Sequence, residues 1–410
     1  MFDPYKIRKD FPMLCNGTKM QGHNLVFLDN ASTTFKPQEV IDACNLYNTQ
    51  ETSNSHRGDY DLCYTVDKKI DEARKTVANF INADPNECVF TSGASMSLNL
   101  IAKSFGEKVL KQGDEILITI AEHASNILPW FEVAERTGAV VKFIPLNEKG
   151  ILTPEAVENA ITEKTKIVSL AHITNVLGYR LNIKEIAKIC HKSCIFLVVD
   201  GAQSVPHTKT DVKDMDCDFL AFSGHKMLGP TGIGIMYGKA ELLELMNPGL
   251  VGGGMNIRFD TNGERKYLEA PLKFEAGTQN IEGIFGLEAA IKYIEKIGIE
   301  NIEKYEKELR QYAISRLKEN KDVIIYNESA DSGIITFNVK GVFAQDLATL
   351  LNSKGIACRS GLHCAKLLDK FLMEHATVRA SLAFYNTKED VDALVEALKE
   401  GGNFLDAYFA

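Results

Sequence analysis

Between Glu87 and Tyr237, short apolar runs alternate with stretches whose apolar residues recur at helical spacing, and no other feature restricts the fold of this chain as much. The alternation specifies an α/β architecture: a mostly parallel sheet whose strands are joined by crossover helices lying on both faces. The candidate strands are Cys88 to Thr91, Glu115 to Ile120, Val140 to Pro145, Ile167 to Ala171, Ile195 to Asp200, Phe219 to Ser223 and Ile233 to Tyr237, making one seven-stranded sheet. Helical spacing covers Ser95 to Phe105, Ile127 to Thr137, Pro154 to Ile161 and Ile183 to His191. Two longer helical stretches, Ile284 to Ile297 and Ile302 to Leu317, then lead to a smaller α+β region. Its strands are Val323 to Tyr326, Ile334 to Val339, Ile356 to Arg359 and Val378 to Ala383, with helices at Gln345 to Ser353 and Lys388 to Leu398. A chain of 410 residues fits two domains. We expect a large domain over 21–295, a small one over 296–410, and a segment 1–20 that packs with the small domain. The Gly252, Gly253, Gly254 run reads as a flexible loop.

Several polar residues stand where this architecture places ligands, at the carboxyl ends of strands. Lys226 follows the apolar strand Phe219 to Phe222 in the order Ser223, Gly224, His225, Lys226. A lysine whose pKa is depressed by burial or neighbours offers an unprotonated amine, which a cofactor aldehyde requires. Most lysines are merely solvated, so Lys226 gains its meaning from what lies upstream. The run Ile195 to Val199 ends in Asp200, Gly201, Ala202, Gln203. A carboxylate kept from water needs a cationic partner, which a pyridinium nitrogen provides, although a helix cap would also explain an aspartate here. Thr91, Ser92, Gly93, Ala94, Ser95 ends another strand in small residues just before a helix, where backbone amides and the helix dipole favour a phosphate.

The net charge of −9 provides no basic field for nucleic acid or anionic lipid, and no apolar run is long enough for a signal peptide or a membrane span. We therefore expect a cytoplasmic protein with no nucleic-acid or membrane partner. The lysines between Lys304 and Lys318 alternate with glutamates, as on a solvated helix face. Nine dispersed cysteines read as reduced thiols, of which at least one is a candidate reactive group. Cys190 and Cys194, four apart with His191 between, would share a helix face but have no second ligand pair, so no metal site is expected.

Taken together these motifs resemble the class V branch of fold-type I pyridoxal-phosphate enzymes, specifically the group II cysteine desulfurases and their selenocysteine lyase relatives. The resemblance covers nearly the whole chain: LDNASTT at Leu28 to Thr34, SNSHRG at Ser53 to Gly58, AEHAS at Ala121 to Ser125, DGAQ, SGHK, FEAGTQN at Phe274 to Asn280, and RSGLHCA at Arg359 to Ala365. It implies that pyridoxal 5'-phosphate is the cofactor and that Lys226 is its Schiff-base lysine. Asp200 would then pair with the pyridine nitrogen, Gln203 with the ring oxygen, and His123 would stack on the ring. Ala94, Ser95, Ser223 and His225 would hold the phosphate, together with Thr278 reaching over from the other subunit of a homodimer. Asn175, Arg359 and Arg379 would bind the substrate, the arginine fork gripping its carboxylate. Cys364 would take the sulfur of L-cysteine as a persulfide and pass it to an acceptor protein, as in iron–sulfur cluster assembly or related sulfur trafficking.

Around Cys364, Arg359 and His363 are candidates for lowering the thiol pKa, Gly361 lets the segment bend, and Cys358 reads as structural. Two positions depart from the family pattern. Leu362 stands where many members have a second histidine, and Ala94 where a hydroxyl residue is common. Two other readings remain open: a lyase acting on L-selenocysteine, which would depend less on Cys364, and a non-catalytic scaffold that binds sulfur-transfer partners. A dinucleotide-binding dehydrogenase ranks below both, since no GxGxxG fingerprint follows the first strand.

Overall fold

The computed structural model describes residues 2–55 and 58–399. Its centre is a seven-stranded sheet of β1 (Cys88–Thr91), β2 (Glu115–Thr119), β3 (Val140–Ile144), β4 (Thr165–Ala171), β5 (Phe196–Asp200), β6 (Phe219–Ser223) and β7 (Gly234–Gly238). The spatial order is β1-β7-β6-β5-β4-β2-β3, and only β7 runs against its neighbours. All other carboxyl ends therefore meet at one edge. The inner strands are buried almost throughout and apolar between their ends because helices cover both faces, which is the demand a parallel sheet makes.

Helix Ile183–Lys192 shows how a crossover is built. Asn182 caps it by accepting from the Glu185 amide at 3.3 Å, and Ile183, Ile186, Ala187 and Cys190 form its buried stripe. Helix Asp61–Ile81 buries Val66, Ile70, Ala73, Val77 and Ile81 in the same way and packs beside Ile281–Ile297 in one core cluster. The predicted helix over Ser95 to Phe105 is present, but its second half, Ile101–Gly106, widens to a π-helix.

The remainder carries a four-stranded antiparallel sheet in the order Val323–Ile325, Ile334–Val339, Thr377–Ser381, Arg359–Gly361. Here one expectation is corrected: the single strand predicted over Ile356 to Arg359 is two. Ile356–Ala357 pairs in parallel with Val26–Phe27, the chain changes direction at Cys358, and Arg359–Gly361 joins the four-stranded sheet. Ile356 is drawn into the core under the first pairing, whereas Arg359 must stand opposite Arg379 in the second. The glycine run at Gly252 to Gly254 leads into a hairpin, Asn256–Phe259 with Arg265–Tyr267, that sequence reading left unassigned.

The amino-terminal residues tie to both parts of the chain. Arg8 pairs with Asp390 at 2.7 Å, while Asp10 accepts from the Tyr293 hydroxyl at 2.7 Å. Phe11 packs among Tyr293, Phe384 and Tyr385. No helix among the described residues is long and apolar enough to cross a membrane.

Candidate active site

A polar cavity of about 180 Å³ opens at the carboxyl edge of the sheet. It is lined by Ala94, Ser95, His123, Asn175, Asp200, Gln203, Ser223, His225, Lys226, Arg359 and Arg379, so all but two of the sequence-predicted site residues meet in it. Those two are Cys364, exposed at its rim, and Thr278, exposed elsewhere on the same chain.

At the floor, Asp200 ends β5, and Lys226 follows β6 in a short 3₁₀ turn. Burial lowers the Lys226 pKa to about 8; Asp200 opposes that shift, while Arg379 and Arg359 add to it. Burial raises the Asp200 carboxyl pKa, against one hydrogen bond from the Ala202 amide at 2.9 Å and the charge of Lys226. A carboxylate so poorly compensated fits a further cation in front of it. His123 accepts the Ser125 amide at its Nδ1, 3.1 Å, which places the ring proton on Nε2. Its pKa falls to about 4 through burial and then the charges of Lys226, Arg379 and Arg359, so the imidazole is neutral at physiological pH. Gln203 donates from Nε2 to the Ala31 carbonyl at 2.8 Å.

Beside these groups lies a corner suited to an anion. Gly93, at φ 147°, turns the chain into a helical run that begins at Ala94, and a side chain there would press on Ser223 Oγ at 3.2 Å. The Ala94 amide donates to Ser223 Oγ at 2.8 Å, and the Ser95 and Ser125 hydroxyls stand 2.6 Å apart. His225 is held neutral, its pKa lowered to about 4 by burial and then by Lys226 and Lys36. Hydroxyls, neutral imidazole and amides at one corner, with an under-compensated carboxylate and a buried amine across the cavity, suit the phosphate, ring nitrogen and aldehyde of pyridoxal 5'-phosphate.

The far wall carries two arginines. Arg379 donates from Nη1 to the Asn175 carbonyl at 2.8 Å, and both its Nε and the Asn175 Oδ1 are buried without partners. Unpartnered polar atoms inside a cavity mark where a ligand's own polar atoms would sit. Asn175 Nδ2 donates to the His363 carbonyl at 2.6 Å, and the Ala124 amide donates to the Cys364 carbonyl at 2.8 Å, which pins the cysteine-bearing turn beside His123. His363 and Cys364 both take left-handed backbone angles, φ 49° and 61°, reached through Gly361 at φ 116°. Arg359 Nη2 lies 3.8 Å from the Cys364 sulfur.

One expectation fails at this turn. His363 is no cationic neighbour of the thiol: its ring is buried on Thr377, and burial, followed by Arg379 and Arg359, pushes its pKa to about 3. The guanidinium of Arg359 is the charged group that touches the sulfur. Burial and then Asp29 raise the Cys358 pKa, in keeping with an unreactive thiol. His191 spends both ring nitrogens on Asp216 and Asp218, at 3.1 and 3.0 Å. His56 and Arg57 of the SNSHRG segment lie outside the described residues.

Sequence reasoning assigned no role to three residues at the site. Ser32, within LDNASTT, contacts both arginines, and Asp29 of the same motif contacts Arg379. Glu122, within AEHAS, is wholly buried and accepts from Thr119, Asn126 and the Ala171 amide, with burial raising its pKa to about 8. Their one sequence signal was being polar inside a matched motif.

These features define a class. The model of the aminotransferase class-V family matches residues 26–394, and the chain belongs to that family. Within it, a probable cysteine desulfurase of Halalkalibacterium halodurans is 46% identical over 406 residues, covering 99% of each chain. Among solved structures, the cysteine desulfurase CsdA (S-sulfonic acid) of Escherichia coli superimposes with a TM-score of 0.91 at 37% identity, covering 98% of this chain and 99% of that one. The apo cysteine desulfurase of Thermococcus onnurineus NA1 gives 0.92 at 38%, covering 98% of both.

Proposed function

We propose that the protein is a pyridoxal-phosphate-dependent cysteine desulfurase, converting L-cysteine to L-alanine and leaving the sulfur as a persulfide on Cys364. The observation that carries this reading is the facing of a buried, partly deprotonated Lys226 and its Asp200 partner by a thiol pinned at the cavity rim. When bound, the cofactor supplies an aldehyde for the substrate's amine and a ring that accepts electrons from its α-carbon.

The chain's own groups divide the remaining work. Lys226 Nζ would hold the cofactor and, as a neutral amine, would take the substrate's α-proton. Asp200 would pair with the ring nitrogen, Gln203 with the ring oxygen, and His123 would stack on the ring. Ser95, Ser223 and His225 would hold the phosphate, the Ala94 amide orienting the Ser223 hydroxyl to which it donates, and Thr278 of a second subunit would complete that corner in a homodimer. Arg379 and Arg359 take the substrate carboxylate, with Asn175 beside them. Cys364 Sγ attacks the substrate's sulfur: the new S–S bond forms as the C–S bond breaks, and the electron pair leaves with the carbon fragment. That fragment gains protons and departs as alanine, so one cysteine thiol and one substrate give one persulfide and one alanine. An acceptor protein then takes the sulfur. In this reading residues 21–295 form the cofactor-holding domain and the chain from 296 onward the smaller one, with the amino-terminal segment joined to both through Asp10–Tyr293 and Arg8–Asp390.

Lys226→Ala is expected to abolish the borohydride-trappable cofactor absorbance, and Cys364→Ala to keep that absorbance while losing alanine production from cysteine. Mass spectrometry of the wild type after turnover should find one extra sulfur on Cys364. Desulfuration of cysteine by Cys364→Ala at the wild-type rate would remove the persulfide step, and turnover of selenocysteine alone would turn the assignment to a selenocysteine lyase.

A further inference from the structure

Arg359 and Arg379 stand directly opposite one another on adjacent antiparallel strands. Like charges so placed repel, and the Arg379 side chain is almost wholly buried, so something must hold the pair together. The contacts converge on one hydroxyl. Ser32 Oγ accepts from Arg359 Nη1 and from Arg379 Nη2, each at 3.0 Å, and donates its proton to Asp29 Oδ1 at 2.7 Å. A hydroxyl has one proton and two lone pairs, and all three are used here. Because Asp29 fixes the direction of the proton, both lone pairs are left facing the two guanidinium groups. Asp29 Oδ1 also accepts from Arg379 Nη2 at 3.3 Å.

The segment that carries Ser32 is itself pinned. The Ala31 amide donates to Ser381 Oγ at 2.9 Å, Gln203 holds the Ala31 carbonyl at 2.8 Å, and Asn30 Nδ2 donates to the Ser381 carbonyl at 2.7 Å. The hydroxyl is thus preorganised from both sides of the cavity. We infer that Ser32, oriented by Asp29, is a positioning residue that yokes Arg359 and Arg379 into one fork for the substrate's α-carboxylate, an inference that rests on the reading of those arginines as the carboxylate site. The charges agree with this role. Two guanidiniums against one aspartate leave a single positive charge, matched by one carboxylate, while the unpartnered Arg379 Nε remains to receive it. Holding Arg359 by Nη1 also leaves its Nη2 toward the Cys364 sulfur.

The test uses the holoenzyme. Steady-state turnover of L-cysteine is measured together with the binding of L-alanine and of L-alaninamide, which lacks the carboxylate, followed by cofactor absorbance. Ser32→Ala should raise KM about ten-fold with kcat held within about two-fold, the mark of lost uniform binding. It should weaken L-alanine about ten-fold and leave L-alaninamide unchanged, as expected for a lost charge-assisted contact. Asp29→Ala should act in the same direction, and Asp29→Asn, which keeps the acceptor oxygen, should act less. Unaltered bound-cofactor absorbance reports an intact fold in each variant. Unchanged alanine affinity in Ser32→Ala overturns the inference, as does equal weakening of the amide, or an Asp29→Asn effect as large as that of Asp29→Ala. Arg379→Ala separates the two levels: if it leaves alanine affinity unchanged, the carboxylate site itself is wrong, whereas a weakened Arg379→Ala beside a normal Ser32→Ala removes only the part played by the hydroxyl.

Discussion

Lys226 is the residue whose chemistry depends most on its surroundings. Burial and the two arginines favour its neutral form while Asp200 favours the ammonium, and the balance lies near pKa 8. Only the neutral amine attacks an aldehyde, so the uptake of pyridoxal phosphate by the apo-protein should accelerate as pH rises from 7 to 9, with a midpoint near 8. Asp200→Asn removes the group that holds the proton on, and should move that midpoint down. Stopped-flow absorbance checks both, and a midpoint that stays put in Asp200→Asn would remove Asp200 as the tuning charge. Lys226, Asp200 and Gln203 were readable in the sequence because each follows an apolar strand that fixes where it must emerge. Ser32 and Asp29 were not: their partners lie 327, 347 and 350 residues away, and no local pattern records a contact made only by folding.

At the scale of elements, what the sequence revealed tracks how much apolar surface each element buries. The inner central strands stood out because helices cover both of their faces, while the edge strand Val140–Ile144 was legible as an apolar run although it is mostly exposed. Helix Gln38–Gln50 buries only Val40 within this chain, so it has no stripe to read, whereas Asp61–Ile81 has a clear one that reading from the sheet outward passed over. The strand divided at Cys358 read as one because both halves are extended, and periodicity does not show a change of partner. Gly234 makes a sharper demand. A side chain there would meet the Gly93 Cα and the Phe222 carbonyl, each at 2.5 Å, between the two strands whose ends would carry the phosphate corner. Both obstacles are backbone and cannot rotate away. Gly234→Ala should cost on the order of 1–3 kcal/mol and loosen the cofactor. A thermal melt and a cofactor dissociation constant test this, and wild-type values for both would show that the strands yield.

Across the whole molecule, one expected site residue stays apart. Thr278 is exposed and lies outside the cavity of its own chain, and Phe259 of the neighbouring hairpin is 75% exposed. In a homodimer that passes Thr278 across, Lys226→Ala and Thr278→Ala subunits should each be impaired alone. Mixed dimers should recover one complete site each, since the Thr278→Ala subunit borrows threonine from its partner. Absence of recovery in a coexpressed pair would place Thr278 in its own chain's chemistry or in none. The wall that would hold the substrate has a different history from the floor that would hold the cofactor. Asn30 and Ala31 bond to residues 356 and 350 positions later, so the ribosome must finish nearly the whole chain before the early segment finds its partners. The floor rests on the central sheet, whose last strand ends at Gly238, and can form while the carboxyl-terminal part is still being made. Synthesis thus delivers Cys364 among the last parts of the site, to a floor that can already be in place.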